Sequence, residues 1–238
     1  MRFPTVHGVI GRRLLINFRI DPDVAQRQLP EPFRPKLHDG HAVGGICLIR
    51  LEGIRPKHIP QVFGISSENA AHRFAVTWTD ATGEREGVYI PRRDSNSLFN
   101  HLAGGRLFPG EHQRATFVVD DTAERIRLQM TSEDGKVSVG VVATRDDEMP
   151  KDSIFRSVDE ASAFFEPGSL GYSATRGARK LDGIVLRTHS WEVKPLHVEE
   201  VASSYFGDPS LFPPGSATFD CGLIMRNIAH EWQAAEGL

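Results

Sequence analysis

The sequence has 238 residues, of which 39% are hydrophobic and 25% are charged, as is typical of one or two globular domains. No stretch approaches the roughly 20 apolar residues of a membrane-spanning helix, which excludes a transmembrane protein and predicts no membrane partner. The formal net charge of −3 argues against a nucleic-acid-binding protein, because such proteins present basic surfaces.

β-strands dominate the pattern along the chain. Apolar runs bounded by turn residues predict strands over residues 13–20, 42–51, 73–79, 86–90, 115–119, 126–131, 137–144, 172–175, 184–193 and 218–228. Hairpin turns are predicted at Ala81-Thr82-Gly83 and at Glu133-Asp134-Gly135-Lys136, where an Asp-Gly pair lies between two strands.

The predicted helices are few and short. Asp21 and Pro22 have the character of an N-cap and a first helical residue, and this helix must end before the prolines at 30 and 32. A capping box at Ser157-Val158-Asp159-Glu160 starts another helix, and two more are predicted over 95–103 and 198–206. We therefore expect a single domain over residues 1–238, mostly β, built on an antiparallel sheet or barrel.

Cys47 and Cys221 lie far apart in apolar, strand-like segments. This arrangement suits reduced, buried thiols in a cytoplasmic protein, although one disulfide stays compatible with the sequence. The N-terminal residues lack the apolar segment of a signal peptide, which also favours the cytoplasm. No metal-ligand spacing, phosphate-binding glycine loop or dinucleotide fingerprint is found, so we expect no metal and no cofactor.

Glu68 and His72 form the first candidate pair of site residues. Phe74, Val76 and Trp78 alternate on one apolar face of a predicted strand, and the same alternation carries Glu68 and His72 inward. An inward acid and an inward imidazole four residues apart could form a hydrogen-bonded acid/base pair at a cavity. The alternative is a buried polar pair with a structural role.

Arg92 and Arg93 are the second candidate pair. They follow Pro91, which we expect to end its strand because it lacks an N–H, and they precede the helix predicted over 95–103. Two arginines before a helix N-terminus favour an anion such as a carboxylate or phosphate. Alternatively, they pair with acids of the protein itself, such as Asp94 or Glu68.

Several segments of the chain resemble a known family. Residues 18–35 are similar to the first strand and short helix of acetoacetate decarboxylases, and Pro91-Arg92-Arg93 falls where that enzyme has Pro-Lys-Lys. Residues 67–73, residues 87–94 and Phe219-Asp220-Cys221 resemble signatures of the YqjF-like branch of that superfamily. The resemblance implies a large, bent β barrel with small helices, an interior ligand cavity and assembly into homo-oligomers. Arg73 and Tyr89, which lie in these signatures, are predicted to bind substrate together with Arg92 and Arg93.

The main departure from the family concerns its reactive lysine. Acetoacetate decarboxylase forms a Schiff base through the first lysine of its pair, and the matching residue here is Arg92. A guanidinium stays protonated and cannot attack a ketone, so decarboxylation through an imine at this position is excluded. Lysine is scarce, with only six in 28 basic residues, and Lys194 is the one we retain as a relocated nucleophile.

Three hypotheses for the function follow. The first is a cofactor-independent lyase-type or isomerase-type enzyme, in which Arg92 or Arg93 binds a small carboxylate while Glu68 and His72 move protons. The second is a non-catalytic protein that binds a small organic acid in its cavity. The third is a structural or interaction protein whose arginines pair internally.

Overall fold

The computed structural model describes residues 5–98, 101, 110–174, 181–235 and 237–238. Within these residues the strands are β1 (Val6–Ile20), β2 (Arg34–Pro35), β3 (Leu37–His38), β4 (His41–Pro56), β5 (Ile65–Asp80), β6 (Gly83–Ser95), β7 (His112–Asp121), β8 (Arg125–Ser132), β9 (Ser138–Arg145), β10 (Leu170–Ala174), β11 (Leu181–Thr188), β12 (Lys194–Ser203) and β13 (Ala217–Ala235). The α-helices are α1 (Pro22–Arg27) and α2 (Val158–Phe165), and 3-10 turns lie at Gln61–Phe63 and Glu166–Ser169.

The strands form one sheet whose hydrogen-bonded pairs close into a ring. The ring runs β6-β7-β8-β9-β12-β13-β1-β4-β5 and returns to β6, and β10 and β11 make a second connection between β6 and β13. The mostly β, barrel-type fold with few short helices is therefore confirmed. The sheet is mixed rather than wholly antiparallel, because β6 runs parallel to both β7 and β10.

Two apolar cores lie on opposite sides of the sheet. The interior core includes Ile46, Phe74 and Leu128, whereas the outer core packs Leu15 and other outward residues against Phe165 of α2. Because β1 and β4 are covered on both faces, both strands are apolar almost continuously instead of alternating.

The local turn and cap predictions are confirmed. The Asp21 carboxylate accepts hydrogen bonds from two backbone N–H groups at the start of α1, and Ser157 Oγ accepts one from the N–H of Glu160 at the start of α2. Gly83 and Gly135 take positive φ angles of 120° and 69° in the two hairpins. Cys47 and Cys221 are buried free thiols.

Three element predictions differ from the structure. Residues 198–206 are not a helix, because β12 pairs with β9 up to Ser203 and a bulge at Val198–Glu200 interrupts the strand alternation. The strand predicted over 184–193 ends at Thr188. The helix predicted over 95–103 begins later than expected, because Ser95 is the last residue of β6. Leu98 and His101 are helical, and the N–H of His101 donates to the carbonyl oxygen of Ser97 at 3.1 Å, while residues 99–100 and 102–103 lie outside the described residues.

Pro91 does not end its strand, contrary to our expectation. β6 continues through Pro91 to Ser95, and the β5–β6 register shifts at this point, so that Phe74 lies opposite Tyr89 while His72 lies opposite Arg92. The shift places an extra residue in β6, and a bulge of this kind tolerates proline. Among the described residues, no helix has the length and apolarity needed to span a membrane.

Candidate functional site

The candidate site lies along one edge of β6, where the neighbouring strand changes from β10 to β7. Residues 88–89 of β6 pair with β10, whereas residues 93–95 pair with β7. A cavity of about 440 Å³ opens between these two pairings, where β10 and β7 diverge, and we call it the fork cavity. Its lining includes Arg92, Arg93, Glu111, Lys136, Ser173 and Tyr205. Consecutive strand residues can line one cavity here because the cavity opens at the strand edge.

Arg92 is held by two carboxylates of the protein. Its Nε and Nη2 donate to the buried Asp94 at 2.9 and 2.7 Å, and its Nη1 and Nη2 donate to Asp134 at 3.1 and 3.0 Å. Burial disfavours the charged guanidinium, but the bonds to Asp94 and Asp134 raise the pKa of Arg92. The bond from Arg92 also holds the pKa of Asp134 well below its usual range. The internal pairing that we considered as an alternative is therefore present at Arg92.

Arg93 has a different environment from Arg92. Its Nε donates to Ser173 Oγ at 3.2 Å, and its buried Nη2 has no hydrogen-bond partner among the described residues. No carboxylate forms an ion pair with Arg93 in the part of the chain that the structure describes. Burial lowers the pKa of Arg93 to about 10. The lining of the fork cavity thus includes one guanidinium that is paired internally and one that has no carboxylate partner among the described residues.

The Tyr205 phenol lines the fork cavity, and the His72 ring lies directly below it. The ring centroids of Tyr205 and His72 are 4.7 Å apart. Burial, with a contribution from Tyr89, raises the pKa of Tyr205 to about 12, so its hydroxyl stays a hydrogen-bond donor. Burial, with a contribution from Arg92, lowers the pKa of His72 to about 3, so its ring is neutral. Neither ring nitrogen of His72 has a hydrogen-bond partner among the described residues.

Glu68 does not form the predicted pair with His72. Its carboxylate instead accepts from Arg12 Nη2 and from Arg50 Nε, both at 2.6 Å. Arg12 is completely buried, and its Nη1 donates to Asp121 Oδ2 at 3.2 Å. Strand alternation correctly placed Glu68 inward, but two long arginine side chains from neighbouring strands supply its partners.

Tyr89 and Arg73 are not among the residues that line the fork cavity, although Tyr89 lies near enough to Tyr205 to affect its pKa. Tyr89 packs inside the ring against Phe33, with ring centroids 5.7 Å apart, and burial raises the pKa of its phenol. Arg73 points to the outer side of the sheet, where its Nη2 donates to Asn17 Oδ1 at 2.6 Å and its guanidinium lies over Phe165. Odd and even positions of β5 face opposite sides, so Arg73 cannot share the interior with His72.

The lysines are arranged differently from our expectation. Lys194 is 71% exposed and lies 3.5 Å from Glu192, and it is not among the described residues that line the fork cavity. Lys136, which we assigned only to a hairpin turn, does line it. No pattern along the chain indicated a site role for Lys136 or Tyr205, because the β8–β9 hairpin and the end of β12 approach β6 only in the folded ring.

This chain belongs to the DUF2071 family, described as "Uncharacterized conserved protein (COG2071)", whose model matches residues 11–218. Comparison with curated proteins gives no match.

Several solved structures have a similar fold, and three of them are compared with this chain. Acetoacetate decarboxylase from Legionella pneumophila has a TM-score of 0.63 at 10% identity, covering 98% of this chain and 87% of that one. An acetoacetate decarboxylase-like enzyme from Sphingomonas wittichii RW1 has a TM-score of 0.61 at 12% identity, covering 99% and 94%. The enduracididine biosynthesis enzyme MppR, in complex with pyruvate, has a TM-score of 0.58 at 11% identity, covering 99% and 90%. The predicted likeness to the acetoacetate decarboxylase fold is confirmed, and the predicted membership of an uncharacterised family is confirmed as DUF2071.

Proposed function

We propose that this protein binds a small organic acid in the fork cavity and that Arg93 holds its carboxylate. The observation that carries the proposal is the position of Arg93 in the lining of a cavity of about 440 Å³, with no carboxylate partner among the described residues. A volume of this size suits a small metabolite, and a guanidinium binds a carboxylate through two parallel hydrogen bonds. A buried cation without an acid partner is costly, and a bound carboxylate would remove this cost.

The other groups of the cavity would orient the rest of the ligand. The Tyr205 hydroxyl, which keeps its proton, can donate to a carbonyl or hydroxyl oxygen of the acid. Lys136 and Glu111 would add one cation and one carboxylate to the lining. Arg92 contributes less to binding in this proposal, because Asp94 and Asp134 already occupy its donors.

The cavity supports a small organic acid as the ligand, and a protein of similar fold suggests a first probe. MppR, which shares the fold, has been solved in complex with pyruvate. Pyruvate combines a carboxylate for Arg93 with a carbonyl oxygen for Tyr205. Methyl pyruvate is the matched neutral probe, because it has the same carbonyl and no negative charge.

Thermal unfolding with these two probes tests the proposal. We expect the melting temperature of the wild-type protein to rise with pyruvate and with other short 2-oxo acids, and not with methyl pyruvate. Arg93→Met should abolish the rise, whereas the control Arg125→Met, an exposed residue paired with Glu199, should retain it. If no short carboxylate raises the melting temperature, or if Arg93→Met responds like wild type, the proposal is wrong.

An enzymatic, lyase-type function is the second candidate, and His72 favours it. The neutral imidazole of His72 packs against Tyr205, which lines the cavity. Neither of its nitrogens has a hydrogen-bond partner among the described residues. Because the pKa of His72 is about 3 and no described residue hydrogen-bonds to its ring, this imidazole could accept a proton from a bound acid only through a Tyr205 hydrogen bond that forms when the ligand binds. Exchange of the methyl protons of pyruvate with D₂O, followed by NMR, tests this role. Catalysis requires exchange by the wild-type protein that is lost in His72→Phe while pyruvate binding persists; equal exchange by both proteins would exclude it.

We also propose that the protein forms the homo-oligomer that the family resemblance implies. Ile59, Val62, Phe63 and Ile65 are all exposed around the 3-10 turn between β4 and β5. A cluster of exposed apolar residues is typical of an interaction site. Light scattering should give a mass above 26.4 kDa that falls to the monomer in the variant Val62→Glu/Phe63→Glu; a wild-type monomer would contradict this proposal.

A further inference from the structure

A second, much smaller cavity lies on the outer side of the sheet, beneath α2 and the turn that follows it. Its volume is about 20 Å³, and its lining includes Arg13, Lys36, Arg73, Glu86 and Phe165. We call it the outer cavity. It is separate from the fork cavity in place and in lining, so it does not depend on the function proposed above.

Two arginines of the outer cavity are buried without an acid partner. Arg13 is 9% exposed and Arg73 is 4% exposed. Arg13 Nε donates to Cys47 Sγ at 3.3 Å, while its Nη1 has no partner among the described residues. Arg73 Nη2 donates to Asn17, while its Nε has no partner in the same part of the chain. Each guanidinium therefore belongs to a residue that lines the cavity and keeps one buried donor without a partner among the described residues.

The charges around the outer cavity do not balance. Its one lining carboxylate, Glu86, is paired with Lys36. Arg13 and Arg73 then contribute two positive charges from side chains with little exposure to solvent, and burial, with a contribution from Arg13, lowers the pKa of Arg73 to about 10. The aromatic rings above them, Trp191 at 5.7 Å and Phe165 at 4.9 Å, offset only part of this cost.

We propose that the outer cavity is a binding site for one monatomic anion of the size of chloride, held between Arg13 and Arg73. A cavity of about 20 Å³ admits one particle close to the size of a water molecule, and it excludes organic acids, sulfate and phosphate. A single water would accept hydrogen bonds from the two free donors, but it would leave the two positive charges uncompensated. The anion would connect β1 with β5 below α2 and so hold the outer core together.

Bromide scattering locates the anion directly. Crystals of the wild-type protein grown in sodium bromide should show an anomalous peak within hydrogen-bond distance of Arg13 Nη1 and Arg73 Nε. A peak confined to the protein surface, or none at this position, would overturn the proposal.

The stability of the protein gives an independent test. At constant ionic strength, we expect the melting temperature to rise as chloride replaces gluconate, which is too large for the cavity. Arg73→Met should lose this dependence, and in gluconate it should melt at or above the wild-type temperature, because an uncompensated cation has been removed. The control Arg127→Met, an exposed residue of β8, should keep the dependence on chloride. A wild-type protein that melts at the same temperature in both salts would contradict the proposal.

A Cys47 thiolate is the rival source of negative charge, and Cys47→Ala distinguishes it. With a bound anion, Cys47→Ala should keep the chloride dependence. If instead the thiolate neutralises the arginines, wild type should be insensitive to chloride, Cys47→Ala should become sensitive to it, and the proposal fails. Should Arg73→Met not fold, the bromide peak and the Cys47→Ala titration still decide the question.

Discussion

Arg92 and Asp94 lie two residues apart on one face of β6, and the guanidinium of Arg92 binds the buried carboxylate of Asp94 through two nitrogens. The neighbouring Arg93 has no such partner among the described residues. Two adjacent and chemically identical side chains therefore have different roles. We expect Arg92 to stabilise the fold and, in the proposed function, Arg93 to bind the ligand.

The first prediction concerns the ion pair between Arg92 and Asp94. Arg92→Met leaves Asp94 buried and unpaired, so the free energy of unfolding should fall by about 3–5 kcal/mol. Urea denaturation measures this loss, and the double variant Arg92→Met/Asp94→Asn should recover a large part of it. The control is Arg85→Met on the same strand, where an exposed contact with Asp80 at 3.7 Å predicts a loss below about 1 kcal/mol. Equal losses in both arginine variants would contradict the structural role of Arg92.

The second prediction concerns imine formation with pyruvate, trapped by borohydride. Wild type should give no covalent adduct, and neither should Arg92→Lys, because Asp94 and Asp134 would keep the new lysine protonated. Arg93→Lys should give an adduct at residue 93, because burial without an acid partner favours the neutral amine. Mass spectrometry of tryptic peptides reads out the position. An adduct in wild type, at Lys136 or Lys194, would show that a relocated lysine is reactive.

The third prediction tests whether Glu68 stabilises the folded protein. Glu68→Gln leaves the completely buried Arg12 with Asp121 as its remaining carboxylate partner, so we expect the free energy of unfolding to fall by about 3 kcal/mol. Glu133→Gln is the matched control, because Glu133 is exposed and pairs with Arg114. If Glu68→Gln is as stable as this control, the buried network does not hold the fold.

The fourth prediction concerns acid stability. Burial lowers the pKa of His72 to about 3, that of His112 to about 3 and that of His230 to about 4, from 6.5 in each case. Below pH 6.5 the unfolded chain binds protons that the folded chain does not, so stability falls as the pH decreases towards 4. Each histidine contributes up to about 1.4 kcal/mol per pH unit in this range.

His72→Phe tests that dependence, because phenylalanine suits the contact with Tyr205 and Phe206. Between pH 5.5 and 4, the free energy of unfolding should decrease less steeply in the variant, by up to about 1.4 kcal/mol per pH unit. The exposed His58→Gln is the control and should follow the wild-type curve. Parallel curves for His72→Phe and wild type would mean that His72 already carries a proton when folded.

Local features of the fold were predictable from the sequence because their causes are local. The cap at Asp21, the capping residue Ser157 and the glycine of the Asp134-Gly135 hairpin depend on backbone geometry within a few residues. The apolar alternation of β5 likewise placed His72 and Glu68 on the interior side. That residues 1–238 form a single domain stays a prediction.

The partners of charged residues were not predictable in the same way. Arg12 and Arg50 reach Glu68 from β1 and β4, so the distances along the chain are 56 and 18 residues. The fork cavity depends on β6 leaving β10 and joining β7, a parallel arrangement that local periodicity cannot indicate. Residues 198–206 show the same limit, because pairing with β9 overrides their helical spacing.

The bulge at Pro91 determines which side of the sheet each of the two arginines faces. Counted by strict alternation from the inward Tyr89, Pro91 and Arg93 would face inward and Arg92 outward. One additional backbone residue reverses this order, so that Arg92 shares the interior side with His72 and Arg93 does not. In the proposed function, the spacing of the main chain thus determines which of the two arginines binds the ligand. A change in ligand preference could evolve by gain or loss of a single residue upstream, with both arginines left untouched.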